Sequence, residues 1–566
     1  MILAKPLQIK QRMDLFSMLV LLQKWVGEQS KCYSNIHLFL ISVPVLLISF
    51  LFLFKIHRVW SPTKQSHVHN LLPSPPRFPI IGNLHQLGTV AHRSIRDLSQ
   101  RYGPLMFLYL GQSPTLVVSS VEMAKEIMKS QDLIFANRTP TAASKALLYG
   151  SSDIVFSSYG DYWRQVKKIC VLELLSPKRI QSFKHVRVEE VDVVINKIAS
   201  SCLSRKTGAQ VAINLTDILQ TLTNNVLTRC TLGVRFESAH GNRFPKMSSD
   251  YVAMFSAFSF GDFFPSLGWM DVVTGLHSRF KKVIQELDIF LDQAIDEHLL
   301  RHSELQDDQG QVQDSDKLDL MDILILSQQD YKTNLSRNNI KAILLDMFLG
   351  GSDTSARTME WAMADLIKNP EVMRKAQDEV RRVVGKKPKV EEDDINQMNY
   401  LKCIVKETLR LHIPLPFLTP RETAKSTQLA GYDIPAKTKV FINMWAIHRD
   451  SNVWDDAEEF RPERFINSQI DFNGQDFEYL PFGSGRRRCP GISFGISIVE
   501  YTLASLLYCF NWELPDGEKA DELDMTETFG LTASKKTPLH VVPTMYASSQ
   551  LFEEADGRRN SAPNPN

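Results

Sequence analysis

The run Pro481–Gly491, PFGSGRRRCPG, sets one cysteine in a setting that could do chemistry. Gly483 and Gly485 allow a tight, open loop around Cys489, and Arg486, Arg487 and Arg488 bring positive charge. Pro490 and Gly491 lead into an apolar run, Ile492–Phe510, that reads as a helix with the proline just inside its start. Cys489 then sits at a helix N-terminus, where the dipole and the arginines both favour an anion. Such a thiol is expected to have a lowered pKa, and a thiolate is a soft metal ligand.

A second candidate lies upstream. Asn338–Asn369 has no proline until Pro370 and reads as one long helix, about 45 Å for thirty residues. In its middle stands GGSDTS, Gly350–Ser355. Two glycines inside a helix cost about 1 kcal/mol each relative to alanine, and their missing side chains let a ligand approach the backbone. The Thr354 hydroxyl can reach the Gly350 carbonyl four residues back, which bends or opens a helix. Asp353 adds a carboxylate. A third pattern is Tyr400–His412, a helix closed by Ile413-Pro414, with Glu407 and Arg410 on one face.

Phe482, Gly485, Arg487, Cys489 and Gly491 fit FxxGxRxCxG, and with GGSDTS, ETLR and Pro462–Phe465 (PERF) in that order the chain resembles the cytochrome P-450 superfamily. The resemblance covers about Pro73–Met545, and DYWRQVKK and the proline hinge are similar to plant microsomal enzymes of specialised metabolism. It implies a mainly α fold with a smaller β region. It implies haem b (iron protoporphyrin IX) bound by Cys489 as axial iron ligand, in a cradle that includes Phe482, Gly485, Gly491, Gly350 and Gly351. Trp163, Lys167, Arg421 and Arg487 are the implied propionate partners. Lys167 departs from the WxxxR pattern; lysine keeps the charge and loses the bidentate fork. Thr354 and Asp353 are the implied oxygen-orienting and proton-delivering residues, and Glu407, Arg410 and Arg464 an interior structural triad.

The elements that must position these residues occupy most of the 566-residue chain. From Ala91 onward they read as mostly helical, with a hairpin at Leu105–Leu110 and Thr115–Val118 and strands between Gln428 and Ile442. Net charge is +1, which gives no basic bias toward nucleic acid. The seven cysteines form no CxxC pair, which disfavours a zinc ribbon or redox dithiol, and their scatter suits a reducing compartment. Leu38–Phe54 is uncharged and, with its flanks, near the roughly 20 residues of a spanning helix. The expected organisation is an extension at 1–35, a single transmembrane anchor at 36–57, a linker and proline-rich hinge at 58–82, the catalytic domain at 83–547 and a disordered tail at 548–566.

The function so implied is insertion of one oxygen atom from O2 into a hydrophobic small molecule. No nucleotide-binding glycine motif opens a βαβ unit, so NADPH is expected to act through a separate NADPH–cytochrome P-450 reductase, with cytochrome b5 as a further candidate partner. Lys168, Arg486 and Arg488 are candidates for the docking face. The resemblance implies a single-pass protein of the endoplasmic reticulum membrane with a cytosolic catalytic domain. The substrate side is outlined by Ala146–Tyr149, Ala342–Leu349, Ile413–Leu418 and Phe529–Thr532. A terpenoid is the first expectation; alkaloid and phenolic substrates stay open. The competing readings are a haem-thiolate isomerase or dehydratase acting on a peroxide, and a non-catalytic membrane haem protein.

Overall fold

The computed structural model describes residues 42–47, 49, 72–203, 211–235, 244–305, 318–329 and 335–546. The expected extension and tail lie outside the described residues. So does most of the expected anchor, of which residues 42–47 are helical and Val45, Leu46 and Leu47 exposed. Everything from Leu72 onward belongs to one unit, Asn70–Asn566.

That unit is mainly helical. The helices that carry the site are α1 (Asp161–Ile169), α2 (Leu215–Leu232), α3 (Phe244–Phe255), α4 (Leu276–Leu305), α5 (Arg337–Gly351), α6 (Asp353–Lys368), α7 (Asn399–Leu411) and α8 (Ile492–Cys509). Strands β1 (Leu105–Leu110) and β2 (Ser113–Val118) form the expected hairpin, with Leu105 opposite Val118 and Leu110 opposite Ser113. Lys439–Ile442 joins β2 in parallel, and Arg421–Glu422 closes the sheet antiparallel to it. Arg421 thereby stands on a sheet edge.

Helix α8 is the apolar centre. Leu503, Ala504, Leu506 and Leu507 are fully buried, and the helix packs against α6 and α7. Among the described residues it alone is long and apolar enough to cross a membrane, yet two thirds of it (67%) is buried in the core. Its apolarity belongs to the interior.

Two expectations change. The long helix Asn338–Asn369 is two helices, α5 and α6, interrupted at Ser352 (φ −86°, ψ −69°). The Ser352 hydroxyl donates to Asn224 Oδ1 and accepts from Gln220 Nε2 at 2.9 Å, so side chains of α2 bond at the break. Pro490 precedes α8, whose first residue is Ile492. Of the expected linker and hinge at 58–82, residues 72–82 are described, and they run along β1. Phe107 N–H donates to Pro73 O at 2.9 Å, Asn83 and Gln86 side chains donate to the Pro75 and Pro76 carbonyls, and Arg77 lies 3.9 Å over the Tyr109 ring.

Candidate active site

The cysteine loop is held from several sides before α8 begins. Cys489 N–H donates to Phe482 O at 3.1 Å, and Arg488 N–H to Gly485 O at 3.1 Å. Gly485 has φ +70°, and a Cβ there would meet Asp132 Oδ1 and the Met128 carbonyl at 2.5 Å, so this position has room for glycine alone. Ser484 Oγ donates to Gly474 O at 2.6 Å, and the Phe472 and Phe482 rings meet edge-on at 5.6 Å. Lys167 Nζ, from α1, donates to the Arg488 carbonyl at 2.9 Å.

Cys489 is exposed although the chain encloses it, so its accessible surface faces an interior space. Here the expected lowering of the thiol pKa is overturned. Burial pushes the Cys489 thiol up, and the Gly491 amide, Lys167 and Arg488 pull it down without winning. Desolvation of an anion outweighs a helix dipole and two cations at this depth. A metal ion would reverse that balance, because a coordinating thiol is deprotonated outright.

The glycine motif reaches the same neighbourhood. Gly350 is exposed, and a Cβ built on it, or on Gly491, would meet nothing within 4 Å. Gly351 is different: its Cβ would press on Leu227 at 3.2 Å, so it serves the packing of α2. A Cβ on Gly495 would lie 3.6 Å from Ser355 Oγ, so α8 and α6 touch about one turn beyond these open positions. The Thr354 hydroxyl donates to the Gly350 carbonyl at 2.7 Å. The Asp353 carboxylate holds Arg357 Nε at 3.1 Å on one oxygen and the Thr532 hydroxyl on the other.

Beside the loop lies a cluster of cations, Arg138 and Arg421 buried and Arg487 half-buried. Arg421 donates to Asp132 Oδ1 at 2.9 Å and to Ser484 O at 2.8 Å. Arg487 donates to the carbonyls of Ala136 (2.8 Å), Ile154 (3.2 Å) and Ser157 (2.6 Å), with its guanidinium 4.3 Å over the Trp163 ring. Trp163 Nε1 donates to Ile154 O at 2.9 Å. Sequence reasoning missed the third arginine, Arg138, which donates to the carbonyls of Val155, Thr419 and Pro420. Its only sequence signal was a cation inside the moderately apolar stretch Leu133–Phe156. Burial, then Arg421, pushes Arg487 down to about 9. Burial, Arg487 and Arg421 push Arg138 down as well. Arg421 depresses Arg487 and both depress Arg138, so the cluster is a site for an anion.

Glu407 and Arg410 are fully buried and form a bidentate pair, both contacts 2.8 Å. Arg464 Nε reaches the same carboxylate at 3.0 Å, and Arg461 N–H at 2.8 Å. Arg410 also donates to the His448, Ala457 and Glu459 carbonyls, so the triad pins the 448–464 segment onto α7. His448, which the sequence did not single out, bonds the Arg410 carbonyl through Nδ1 (3.1 Å) and accepts Leu480 N–H at Nε2 (3.1 Å). Burial and Arg410 push it down to about 3, so it stays neutral and ties α7 to the start of the cysteine loop.

The comparisons with known proteins agree with this geometry. The family profile for Cytochrome P450 matches residues 72–540. Phenylacetaldehyde oxime monooxygenase CYP71AN24 of Prunus mume is 48% identical over 525 residues, covering 92% of this chain and 97% of that protein. Cytochrome P450 71A1 of Persea americana is 51% identical over 82% of this chain and 92% of its own length. Desmethylyatein synthase of Sinopodophyllum hexandrum is 48% identical over 89% of this chain and 98% of its own. Among solved structures, a zebra fish cytochrome P450 with progesterone superposes with a TM-score of 0.67 at 23% identity, over 80% of this chain and 99% of that one.

Proposed function

The chain belongs to the cytochrome P450 family, and from that premise we propose that it is a membrane-associated haem monooxygenase of plant specialised metabolism that hydroxylates a hydrophobic, aromatic-bearing small molecule. The donor set fits the cofactor. Cys489 offers one accessible thiol, Gly350 and Gly491 leave their faces open, and buried Arg138 and Arg421 with half-buried Arg487 carry positive charge suited to two carboxylates. Haem supplies the activation of dioxygen and the transfer of one oxygen atom to the substrate, with electrons derived from NADPH.

The remaining work falls to the chain. Arg138, Arg421, Arg487, Trp163 and Lys167 would hold the propionates, and Gly485 fixes the loop that carries the thiol. Thr354, bonded to Gly350 O, keeps a hydroxyl at the break between α5 and α6, where the helix is already open. Asp353, held by Arg357 and Thr532, keeps a carboxylate one residue away for proton traffic. Glu407, Arg410 and Arg464 keep the 448–464 segment in register beneath the loop.

The substrate reading rests on aromatic pairs in and near the stretches outlined for the substrate side. Phe156 and Phe255 stack at 5.9 Å, and Phe417 meets Phe529 at 5.9 Å. Phe156, Phe255 and Phe529 are half-buried, whereas Ala342–Leu349 are core. A relative is named for phenylacetaldehyde oxime, an aromatic compound. These favour an aromatic over the terpenoid expected from sequence. Membrane contact is supported by exposed Trp269, Val272 and Val273 and by exposed Phe78, Ile80 and Ile81. Both groups are tethered to the hairpin tip, through Gly111 N–H to Ile81 O and Gln112 N–H to Phe263 O. Reductase docking falls to exposed Lys168 and Arg486; Arg488 is half-buried and donates to Phe472 O.

The single observation that carries this reading is the accessible Cys489 thiol, two residues from the open face of Gly491, on a loop flanked by Arg138, Arg421 and Arg487. The test is the reduced, carbon-monoxide difference spectrum of wild type and Cys489→Ala, followed by turnover with purified reductase and NADPH on phenylacetaldehyde oxime and on a monoterpene alcohol. A thiolate-type Soret band that survives the substitution sinks the ligand assignment. Turnover of the terpene alone sinks the aromatic one.

A further inference from the structure

Two buried carboxyls stand outside this scheme. Asp153, in the loop before α1, is 0% exposed and Asp346, on α5, is 3% exposed. Asp346 Oδ2 accepts the N–H groups of Ile154 (2.7 Å) and Val155 (3.1 Å). Asp153 Oδ2 accepts those of Val155 (2.9 Å) and Phe156 (2.6 Å). Each acid has its other oxygen, Oδ1, buried without a donor. The Val155 N–H is shared by the two carboxyls, at 2.9 Å from Asp153 Oδ2 and 3.1 Å from Asp346 Oδ2, which sets them side by side. Ionised carboxylates only accept, so these two can bond only when one carries a proton.

The same loop turns its carbonyls the other way. Ile154 O receives Trp163 and Arg487, Val155 O receives Arg138, and Ser157 O receives Arg487. Residues 154–157 thus hang between an acid pair on their N–H side and a cation cluster on their C=O side.

We infer that Asp153 and Asp346 share one proton, and that this singly charged pair is the positioning device that pins the 153–157 loop to α5 and so fixes the carbonyls that orient Trp163, Arg138 and Arg487. The inference rests on the reading of those cations as propionate partners. Burial raises both carboxyls above the usual carboxylate range, and the charge of Asp153 raises Asp346 further. The other groups facing the pair are Tyr162 of α1, Cys170 just after it, Tyr251 of α3, and Arg138 and Arg487 across the loop. Burial pushes Tyr162, Cys170 and Tyr251 all upward, so none is an anion at neutral pH. The shared proton leaves one negative charge facing the arginines, where two would force the acids apart.

The experiment uses the full-length haem-loaded protein with two variants. Asp346→Asn keeps an acceptor for the two amides and offers an N–H to Asp153, imitating the protonated acid. Asp346→Ala leaves both amides and Asp153 without that partner. The infrared difference spectrum at neutral pH, wild type minus Asp346→Asn, is expected to contain the C=O stretch of a protonated carboxyl; Glu500, pushed up to about 7 by burial, contributes equally to both and cancels. Haem transfer to apomyoglobin is expected to stay within about twofold of wild type in Asp346→Asn and to speed up about tenfold in Asp346→Ala. No protonated-carboxyl band in that difference overturns the inference, and so does haem loss from Asp346→Asn faster by about tenfold. If the alanine variant does not fold, those two outcomes still decide it. Arg487→Ala, run alongside, separates the two levels: unchanged haem transfer there sinks the cation reading, while the infrared result still judges the acid pair.

Discussion

Two buried charge clusters flank the cysteine loop, and they are built on opposite accounts. On one side, Glu407 is met by Arg410, Arg464 and the Arg461 amide, and Arg410 spends its remaining donors on three carbonyls. On the other, Arg138, Arg421 and Arg487 face one another with Asp132 and Asp153 as the acids near them. The first cluster is closed and has nothing left to bind. The second is short of negative charge and depends mainly on neutral carbonyls. A closed charge cluster is a lock for the fold; an open one is a receptor.

The largest test of that contrast is Glu407→Ala. It leaves two arginines unpaired beneath the loop, and a loss of about 3–5 kcal/mol is expected, read as urea or thermal unfolding with or without cofactor. Arg487→Ala should do the reverse. The apoprotein should keep or gain stability, because a mutually repelling cation is removed. Haem dissociation should speed up about tenfold to a hundredfold, the span of a charge-assisted hydrogen bond of roughly 1.5–3 kcal/mol. If Arg487→Ala instead unfolds the apoprotein as Glu407→Ala does, the contrast is gone.

Much of this was legible in the sequence, and the limits have physical causes. The Cys489 loop, the Glu407–Arg410 pair and the β1–β2 hairpin depend on neighbours a few residues apart, so spacing was enough. Arg138 was missed because its partners, near 155 and 420, come from distant chain. Asp153 and Asp346 were missed for the same reason. The break at Ser352 escaped because its residues tolerate a helix, and what bonds there is Gln220 and Asn224 of another one. The sign of the Cys489 shift was misjudged because dipole and charge can be read locally, whereas depth cannot.

Acid and alkali should pull the two clusters apart. His448 titrates near 3 in the fold, below its unfolded value, so the unfolded chain binds more protons between those values. Stability is therefore complete above the ordinary histidine range and falls as pH drops toward 3, and His448→Asn should flatten that limb. Arg487 titrates near 9 in the fold, again below its unfolded value. The apoprotein thus carries a penalty at all pH below about 9, relieved as pH rises beyond it. Bound propionates should erase that alkaline gain, so apo and holo stability curves should diverge above pH 9 and share the acid limb.

The smallest effect is expected at the surface. Lys168→Glu reverses an exposed charge, and the reductase KM should rise about two- to fivefold, within what exposed pairs contribute. The effect should vanish at high salt; an unchanged KM at low salt removes Lys168 from the docking face.

The contrast between Gly485 and Gly350 bears on how this chain could diversify. A side chain at Gly485 collides with Asp132 and the Met128 carbonyl, while one at Gly350 meets open space. In a saturation library selected for folded holoprotein, codon 485 should return glycine alone, whereas codon 350 should accept alanine at little cost in yield. Position 485 is therefore limited by the chain's own packing, and position 350 only by what comes to occupy the space beside it.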